Sequence, residues 1–317
     1  MYNYSKSNLE RIASSTDFIR DNLEKVLRLN EILKHLNENP IFEKHLALKG
    51  GTAINMTVFN LPRLSVDIDL DFSIDCQREE MLSIREMINQ NLLKYMFAQG
   101  YALSPNTKNP HSLDSWIFYF QNSGGNRDNI KVEINYSMRN HLLPIIKKKV
   151  IPEFLQRDYD VKTLSTLELF GGKIKALIER TAPRDLYDIF NMLRFNIINL
   201  NEYDMLRKIV LFYLAVGGSD RLLTSYDLES INKIGFPQIR SSLLPVLKKK
   251  EKFDFAFAKT EVKDFISKLL IFTEEEKNFI KNFNNKVYRP DILFDDSIIV
   301  DRIKNHPMAI WKTTKVG

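Results

Sequence analysis

Three aspartates alternate with apolar residues between Val66 and Phe72, in the segment Val-Asp-Ile-Asp-Leu-Asp-Phe. This period of two predicts a strand with Asp67, Asp69 and Asp71 on one face and the apolar side chains on the other. Same-face neighbours lie roughly 6.5–7 Å apart along a strand, so two carboxylates there repel each other unless a cation lies between them. Carboxylate oxygens suit Mg²⁺, and two such ions about 3.5–4 Å apart can hold a phosphoryl group during transfer. The segment indicates a metal site at Asp67 and Asp69; the alternative is an acidic, half-exposed strand without a ligand.

A glycine pair, Gly50-Gly51, lies at a predicted junction between a short apolar strand at 46–48 and a short helix at 53–58. Glycines at such a junction let backbone amides approach a phosphate, and the start of the helix adds a partial positive charge. Thr52 offers a hydroxyl at the same point. Gly-Gly-Thr by itself is more typical of a tight turn. Its place one helix and one turn before the acidic strand favours a phosphate-binding role.

A third carboxylate for a two-metal site is available on a neighbouring predicted strand at 129–136. Glu133 lies on the face opposite to Val132 and Ile134, which belong to the core by their apolar character. We expect Glu133 rather than Asp71 to complete the metal site. The alternative is that Glu133 is an ordinary solvated residue.

A second concentration of charge follows in the helical half of the chain. Lys173 and Arg180 are seven residues apart and lie on the same side of a predicted helix, and Arg184, Asp185 and Asp188 follow in the next turns. Lysine and arginine can neutralise the charge of a triphosphate as it builds up in a transition state. The alternative is an interdomain salt-bridge cluster in which Asp185 or Asp188 orients Arg184.

Lys173 follows two glycines, Gly171 and Gly172, on an otherwise apolar helix. The absence of two side chains would leave room for a ligand beside the ammonium group. We therefore expect this helix to face the metal site across a cleft between domains, with Lys173 near the triphosphate.

The elements that must position these residues change character along the chain. The pattern predicts an α/β domain at 1–160 with N-terminal helices, and an α-helical domain at 161–317 that contributes to the active-site cleft. In the first half, helices are expected at 5–38 and 78–99, and strands at 101–103, 116–121 and 129–136. In the second half, a capping box at Ser165 and Glu168 begins one helix and Pro183 opens the next. Further helices are expected near 202–216, 220–231, 237–250 and 273–285.

The composition limits the class of protein. The chain has 317 residues, 44% of them hydrophobic, and a formal net charge of +6. The single cysteine, Cys76, excludes an internal disulfide. The first six residues contain no apolar signal core, and no apolar run approaches the roughly 20 residues of a membrane span. We expect a soluble, cytoplasmic protein without a membrane partner.

The basic excess is compatible with a polyanionic partner. Two runs of three lysines, at 147–149 and 248–250, are candidates for phosphate contacts, although each is more typical of a solvated loop or helix end. The five histidines lack the spacing of metal ligands, and no serine occupies a nucleophile elbow. Zinc hydrolysis and acyl transfer are therefore poorly supported.

Taken in order, four segments resemble the polymerase-beta-type nucleotidyltransferase superfamily, and more closely its AbiEii/AbiGii toxin branch. They are Leu48-Lys-Gly-Gly-Thr-Ala53, Arg63-Leu-Ser-Val-Asp-Ile-Asp-Leu70, Lys131-Val-Glu-Ile134, and Glu168 to Asp188 with its Pro-Arg-Asp-Leu-Tyr-Asp ending. The resemblance covers roughly residues 46 to 195. Two features depart from the superfamily pattern: threonine replaces the usual serine after the glycines, and 14 residues separate Thr52 from Asp67, more than is common.

The resemblance implies an α+β fold, with a polymerase-beta-like mixed sheet flanked by helices and a C-terminal helical domain. Members of this branch are toxins of bacterial toxin–antitoxin and abortive-infection systems against phage. They transfer nucleotides from an NTP, in some members to the 3′ end of tRNA. Carried over by position, the roles fall into three sets. The catalytic residues are Asp67, Asp69, Lys173 and Asp185. The nucleotide-binding residues are Gly50, Gly51, Thr52, Ser65, Lys173, Arg180 and Arg184. The Mg²⁺ ligands are Asp67, Asp69 and Glu133.

We therefore predict a magnesium-dependent nucleotidyltransferase toxin that acts on an RNA hydroxyl, with tRNA as the expected acceptor and a cognate antitoxin encoded nearby. Glu133 or a nearby carboxylate deprotonates or positions that hydroxyl. Two alternatives remain open. One is transfer to a small molecule such as an aminoglycoside, and the other is a non-catalytic nucleotide- or RNA-binding module that retains the fold.

Overall fold

The strands of the first half belong to one mixed sheet. The computed structural model describes residues 4–155 and 158–314, and within these ranges the sheet has seven strands in the order β3-β4-β5-β2-β1-β7-β6. Their bounds are β1 Leu46–Lys49, β2 Asp67–Phe72, β3 Ala102–Leu103, β4 Leu113–Gln121, β5 Arg127–Asn135, β6 Ile146–Lys149 and β7 Asp160–Thr163. β2 pairs in parallel with β5 and antiparallel with β1. The fold is α+β with a mixed sheet, as predicted.

The helices of the first half flank this sheet. They are α1 Lys6–Thr16, α2 Arg20–Glu38, α3 Pro40–His45, α4 Gly50–Thr57 and α5 Arg78–Ala98. The helix predicted at 5–38 is divided in two, because Asp17 adopts a left-handed backbone conformation with φ of 64°. Asn39 ends the second part and caps α3, whose first residue is Pro40. α2 then packs its apolar side against β2, β5 and β7.

Two strands of the sheet were not predicted. β7 pairs in parallel with β1, where Thr163 Oγ1 donates a hydrogen bond of 2.8 Å to the Leu48 carbonyl. β6 pairs with β7 and forms an edge of the sheet. The lysines at 147–149 therefore lie on an edge strand and not in a loop or at a helix end. Charged side chains on an edge strand discourage its pairing with another chain. The lysines at 248–250 lie in a turn region.

The second half is helical. Its helices are α6 Thr166–Arg180, α7 Pro183–Arg194, α8 Tyr203–Gly217, α9 Glu229–Asn232, α10 Phe236–Ser242, α11 Phe255–Leu269, α12 Glu274–Asn284, α13 Pro290–Leu293, α14 Ser297–Ile303 and α15 Pro307–Thr314. The helices predicted near 202–216 and 273–285 are confirmed. Those predicted at 220–231 and 237–250 are wrong in extent, since only α9 and α10 are α-helical there. α11 was missed.

The capping box expected at the start of α6 is only half formed. Ser165 accepts a hydrogen bond from the Glu168 amide, at 3.2 Å. The buried Glu168 carboxylate does not return to the cap. It accepts hydrogen bonds from the amides of Leu142 (2.8 Å) and Leu143 (3.2 Å) and from the hydroxyl of Tyr213 (2.6 Å). Glu168 therefore satisfies the backbone of a distant segment, which local sequence could not indicate.

The chain separates into two compact units. The first contains the residues up to Arg139 together with Ile145–Leu164 and Pro245–Glu251, and the second contains Asn140–Pro144, Ser165–Leu244 and the residues from Lys252 onward. The chain thus crosses between the units more than once, whereas the predicted domains were two continuous stretches. The predicted boundary at residue 160 stays a prediction.

No helix in the described ranges has both the length and the apolar character needed to cross a lipid bilayer. The segment 1–6, in which no apolar signal core is expected, includes residues 1–3, which lie outside the part of the chain that the structure describes.

Candidate functional site

The junction between β1 and α4 brings the glycine turn against the acidic strand. Gly50 has φ of +69°, a conformation that other residues rarely adopt. A Cβ built on Gly50 would lie 2.5 Å from Oδ2 of Asp69. Glycine is therefore required twice, by the backbone conformation and by the close approach of the carboxylate. The first residues of α4 and the Asp69 side chain consequently lie together in the first unit.

Gly51 allows a second close approach. A Cβ there would lie 2.8 Å from Nη2 of Arg63 and 3.0 Å from Oγ of Ser65. Arg63 is only 2% exposed, and its Nη1 donates a hydrogen bond of 2.9 Å to the Leu64 carbonyl. Arg63 begins the motif that contains Asp67 and Asp69, but no role for it was predicted. Its position four residues before Asp67 was the only available signal.

Thr52 connects the turn to the acidic strand. Its side chain is fully buried, and its hydroxyl lies within hydrogen-bond distance of Ser65 Oγ, at 2.9 Å, and of the Asp67 carbonyl oxygen. The Thr52 side chain therefore holds α4 against β2. The predicted contact of Thr52 with a triphosphate stays a prediction. Because the Thr52 hydroxyl contacts Ser65 and Asp67, the backbone amide of Thr52 is the group suited to bind phosphate.

The acidic face of β2 follows the predicted alternation only in part. Asp67 and Asp69 are half-buried, and Ile68 between them is fully buried. In the parallel pairing with β5, Asp69 lies beside Glu133. Asp71 differs from the other two aspartates, since it is only 3% exposed. Asp71 therefore lies on the same face of β2 as Asp67 and Asp69, as predicted, but it is buried there.

Two lysines from the neighbouring strands pair with carboxylates of this face. Lys131 on β5 contacts Glu133 at 2.9 Å, and Lys49 on β1 contacts the Asp71 carboxylate. Burial raises the pKa of Asp71, and the Lys49 ammonium acts against that shift. Glu133 thus has a lysine partner in this arrangement, and its predicted role as a metal ligand stays a prediction.

The donors at Asp67 and Asp69 fit Mg²⁺ by their chemistry. Within residues 4–155 and 158–314, no three or more histidine, cysteine, aspartate or glutamate side chains are grouped so that they could hold a metal ion. Mg²⁺ is commonly bound by one or two carboxylates together with substrate phosphates and water. The Asp69 carboxylate lies beside the start of α4, and Asp67 is two residues away on the same strand. Phosphate oxygens bound at the start of α4 would complete the coordination in that mode of binding.

The second unit contains the predicted nucleotide-binding lysine in a buried ion-pair cluster. Lys173 on α6 is 7% exposed, and its Nζ lies 2.9 Å from Oδ1 of Asp185 and 3.2 Å from Oδ2 of Asp188 on α7. Arg180 donates to the same Asp185 carboxylate from Nε (2.7 Å) and Nη2 (3.0 Å). The structure therefore brings Lys173, Arg180 and Asp185 together.

Electrostatics keep Asp185 ionised. Burial alone would raise its pKa, but the charges and hydrogen bonds of Lys173 and Arg180 outweigh burial and lower the pKa from 3.8 to about 2. Arg184 donates from Nε to the Ser242 carbonyl at 2.6 Å. Asp185 thus contacts Lys173 and Arg180, and the alternative in which Asp185 or Asp188 orients Arg184 stays untested.

The two glycines before Lys173 have different surroundings. A Cβ on Gly171 would lie 2.4 Å from Cγ2 of Ile209, so this glycine permits the close packing of α6 against α8. A Cβ on Gly172 would meet nothing within 4 Å. The expectation that both glycines make room for a ligand is wrong for Gly171, whose role is in helix packing.

Comparison with known proteins gives evidence on the family and on the fold. The family model of the AbiEii nucleotidyl transferase toxin, of type IV toxin–antitoxin systems, matches residues 31–281. No curated protein matches the chain. Among solved structures, the chain is similar to MenT4, a nucleotidyltransferase toxin from Mycobacterium tuberculosis H37Rv, with a TM-score of 0.65 and 14% sequence identity over 97% of this chain and 99% of that one. At 14% identity, the similarity to MenT4 is evidence for the fold alone. The family model matches most of the chain and is therefore evidence for the family. The chain therefore belongs to the AbiEii family of nucleotidyltransferase toxins of type IV toxin–antitoxin systems.

Proposed function

We propose that this toxin transfers a nucleotide from an NTP to an RNA hydroxyl in a Mg²⁺-dependent reaction, with the 3′ end of tRNA as the acceptor. The observation that carries the proposal is the placement of Asp69 against the Gly50 backbone at the start of α4, with Asp67 two residues away on the same strand. This placement joins a group suited to phosphate and two groups suited to Mg²⁺ within one unit.

The residues of the first unit would have the following roles. The backbone amides of Gly51 and Thr52 at the start of α4 bind phosphate oxygens, since the helix terminus carries unpaired N–H groups and a partial positive charge. Asp67 and Asp69 hold Mg²⁺, which would neutralise charge on the reacting phosphate. The acceptor oxygen forms a bond to the α-phosphorus, and the bond between that phosphorus and the pyrophosphate oxygen breaks. The hydroxyl proton passes to Glu133 or a neighbouring carboxylate.

In the second unit, Lys173 would bind the nucleotide, with Arg180 and Arg184 contributing positive charge to the triphosphate. Asp185 would hold the Lys173 ammonium in place through the 2.9 Å contact. Ser65 would act through Thr52, to which it is hydrogen-bonded. These roles extend to this chain what the family motifs imply at the matching positions.

The net charge of +6 supports an RNA acceptor, because binding to a polyanion is driven by phosphate contacts. As a member of a type IV toxin–antitoxin family, the protein has an antitoxin as its genetic partner. We place the reaction in the cytoplasm, where NTPs and tRNA are available, and we assign it to defence against phage.

A transfer assay tests the proposal. The wild type is incubated with Mg²⁺ and each labelled NTP, in turn with total tRNA and with an aminoglycoside. We expect label in tRNA, no label after EDTA treatment, and at least roughly 100-fold less label with Asp67→Asn. Asp158→Asn is the matched control, since it removes the same charge at a side chain that is 82% exposed. Label in the small molecule alone would contradict the RNA acceptor, and NTP binding without any transfer would support a binding module.

Expression in bacteria tests the toxin role. The wild type produced alone is expected to arrest growth, and co-expression of the neighbouring antitoxin gene should relieve the arrest. Equal harmlessness of the wild type and Asp69→Ala would argue against a toxic action that depends on transfer.

A further inference from the structure

Lys49 is the last residue of β1 and immediately precedes the glycine turn. In the antiparallel pairing of β1 with β2, Lys49 lies directly opposite Asp69. Residues opposite each other in such a pair point to the same face, with Cβ atoms about 4.5–5.5 Å apart. The Lys49 ammonium nevertheless pairs with Asp71, one pleat further along β2. The lysine therefore reaches past the residue opposite to it.

The burial of Asp71 explains why Lys49 pairs with it. The Asp71 side chain is 4% exposed, whereas that of Lys49 is 27% exposed. A buried carboxylate without a partner is strongly unfavourable, so the more buried acid has the greater need of the cation. Asp69 stays beside the start of α4. The pairing thus holds the Asp71 carboxylate at Lys49, whereas the Asp69 carboxylate lies at the glycine turn.

Removal of Lys49 and removal of the Asp71 charge would have opposite effects on the metal site. Without Lys49, Asp71 would be an uncompensated carboxylate roughly 6.5–7 Å from Asp69 on the same face, within reach of a shared cation. Without the Asp71 charge, the Lys49 ammonium would have Asp69 directly opposite as its carboxylate partner, and it would compete with a metal ion there.

We propose that the Lys49–Asp71 ion pair keeps Asp71 out of the metal-binding set, so that the metal is held by two aspartates and depends on the triphosphate for its remaining ligands. Lys49 is in this sense a positioning residue, since it acts on the metal through Asp69 and Asp71. The inference rests on the metal site of the proposed function. It goes beyond that function by explaining how a third aspartate on the same strand is prevented from binding metal.

The test measures metal affinity without turnover. Mn²⁺ binding in the absence of NTP is followed by electron paramagnetic resonance for the wild type, Lys49→Met, Asp71→Asn and the double variant. One unit charge at this distance from a half-exposed site changes affinity by about tenfold. Lys49→Met should therefore bind Mn²⁺ about tenfold more tightly, and Asp71→Asn about tenfold more weakly. The double variant should return to within about twofold of the wild type, because the net charge is restored.

Nucleotide transfer supplies a second measurement. Both single variants should lose activity, for opposite reasons, and the double variant should recover most of it. Lys25→Met is the matched control, since it removes another lysine–aspartate pair of the first unit, with Asp128 at 3.0 Å and side chains 14% and 23% exposed. Its Mn²⁺ affinity should equal that of the wild type.

Circular dichroism establishes which variants are folded. If Lys49→Met fails to fold, the comparison of Asp71→Asn with the double variant still decides the matter, since about a tenfold difference between them is expected. Unchanged Mn²⁺ affinity in the single variants, with a wild type that binds Mn²⁺ and transfers nucleotides, would overturn this inference alone. If the wild type binds Mn²⁺ only with an unreactive NTP analogue, the four proteins are compared in its presence, since phosphate oxygens complete the coordination. A wild type that binds Mn²⁺ neither alone nor with the analogue would overturn this inference together with the metal site of the proposed function.

Discussion

Replacement of Asp185 by asparagine tests whether the buried cluster around Lys173 is ionised and how much it stabilises the second unit. Asp185 is fully buried and contacts both Lys173 and Arg180. Its pKa is lowered from 3.8 to about 2. A shift of this size corresponds to roughly 2 kcal/mol of stability at neutral pH.

The sign of the pH dependence follows from the lowered pKa. A carboxyl group that is more acidic in the folded than in the unfolded state contributes stability above its unfolded pKa, and the contribution is lost as the pH falls through the folded value. The stabilisation by Asp185 is therefore complete above about pH 5, about half lost at pH 3, and absent below about pH 1. Asparagine does not titrate, so the difference between the two proteins should shrink over this range.

Urea unfolding of the wild type and Asp185→Asn at pH 7, 5, 4 and 3 measures this difference. At pH 7 the variant should be less stable by at least roughly 2 kcal/mol, and the difference should fall by about 1 kcal/mol at pH 3. Asp301→Asn is the control, because its pair with Lys304 has side chains 69% and 57% exposed and a surface pair contributes at most about 1 kcal/mol. A difference that does not change between pH 7 and pH 3 would refute the reasoning.

The same cluster changes how the Lys173 prediction must be tested. Lys173→Ala would leave Asp185 and Asp188 buried without this cation, which typically costs about 3–5 kcal/mol. Loss of activity in that variant would then follow from unfolding as readily as from a lost phosphate contact. NTP affinity must therefore be measured on protein shown to be folded, where Lys173→Ala should still weaken binding strongly and Lys173→Arg should recover only part of it.

Three further predictions concern the first unit. Asp67→Asn should lower transfer by roughly 100-fold or more with little change in melting temperature, because the half-exposed carboxylate contributes to metal binding and not to the core; a variant that unfolds would instead mark Asp67 as structural. Gly50→Ala should lose at least about 1–2 kcal/mol of stability in urea unfolding, since alanine must adopt φ near +69° and meets Asp69 Oδ2 at 2.5 Å; an unchanged midpoint would contradict this. Thr52→Val should cost roughly 1–3 kcal/mol by leaving its buried hydrogen-bond partners unsatisfied, whereas Thr52→Ser should keep most of the stability; equal stability of the two variants would show that the hydroxyl bond is unimportant.

The sequence by itself determined the local features of the site. The period-two pattern around Asp67 and Asp69 predicted β2, because alternation is a property of the strand itself and needs no partner. The glycine pair predicted the junction of β1 and α4, because the backbone conformation at Gly50 is a local property that favours glycine. The order of these motifs along the chain was sufficient to indicate the family.

Only the tertiary structure decided which charged residues are partners. Asp71 resembles Asp67 and Asp69 in sequence, yet it is buried and paired with Lys49, which lies 22 residues earlier in the chain. Lys173 and Asp185 are 12 residues apart on different helices, and the pKa of Asp185 depends on their contact. The strands β6 and β7 were missed because their pairing with each other and with β1 joins distant segments. Periodicity records which side chains share a face of one element, whereas burial and charge pairing depend on which elements meet, and that is established only when the chain has folded.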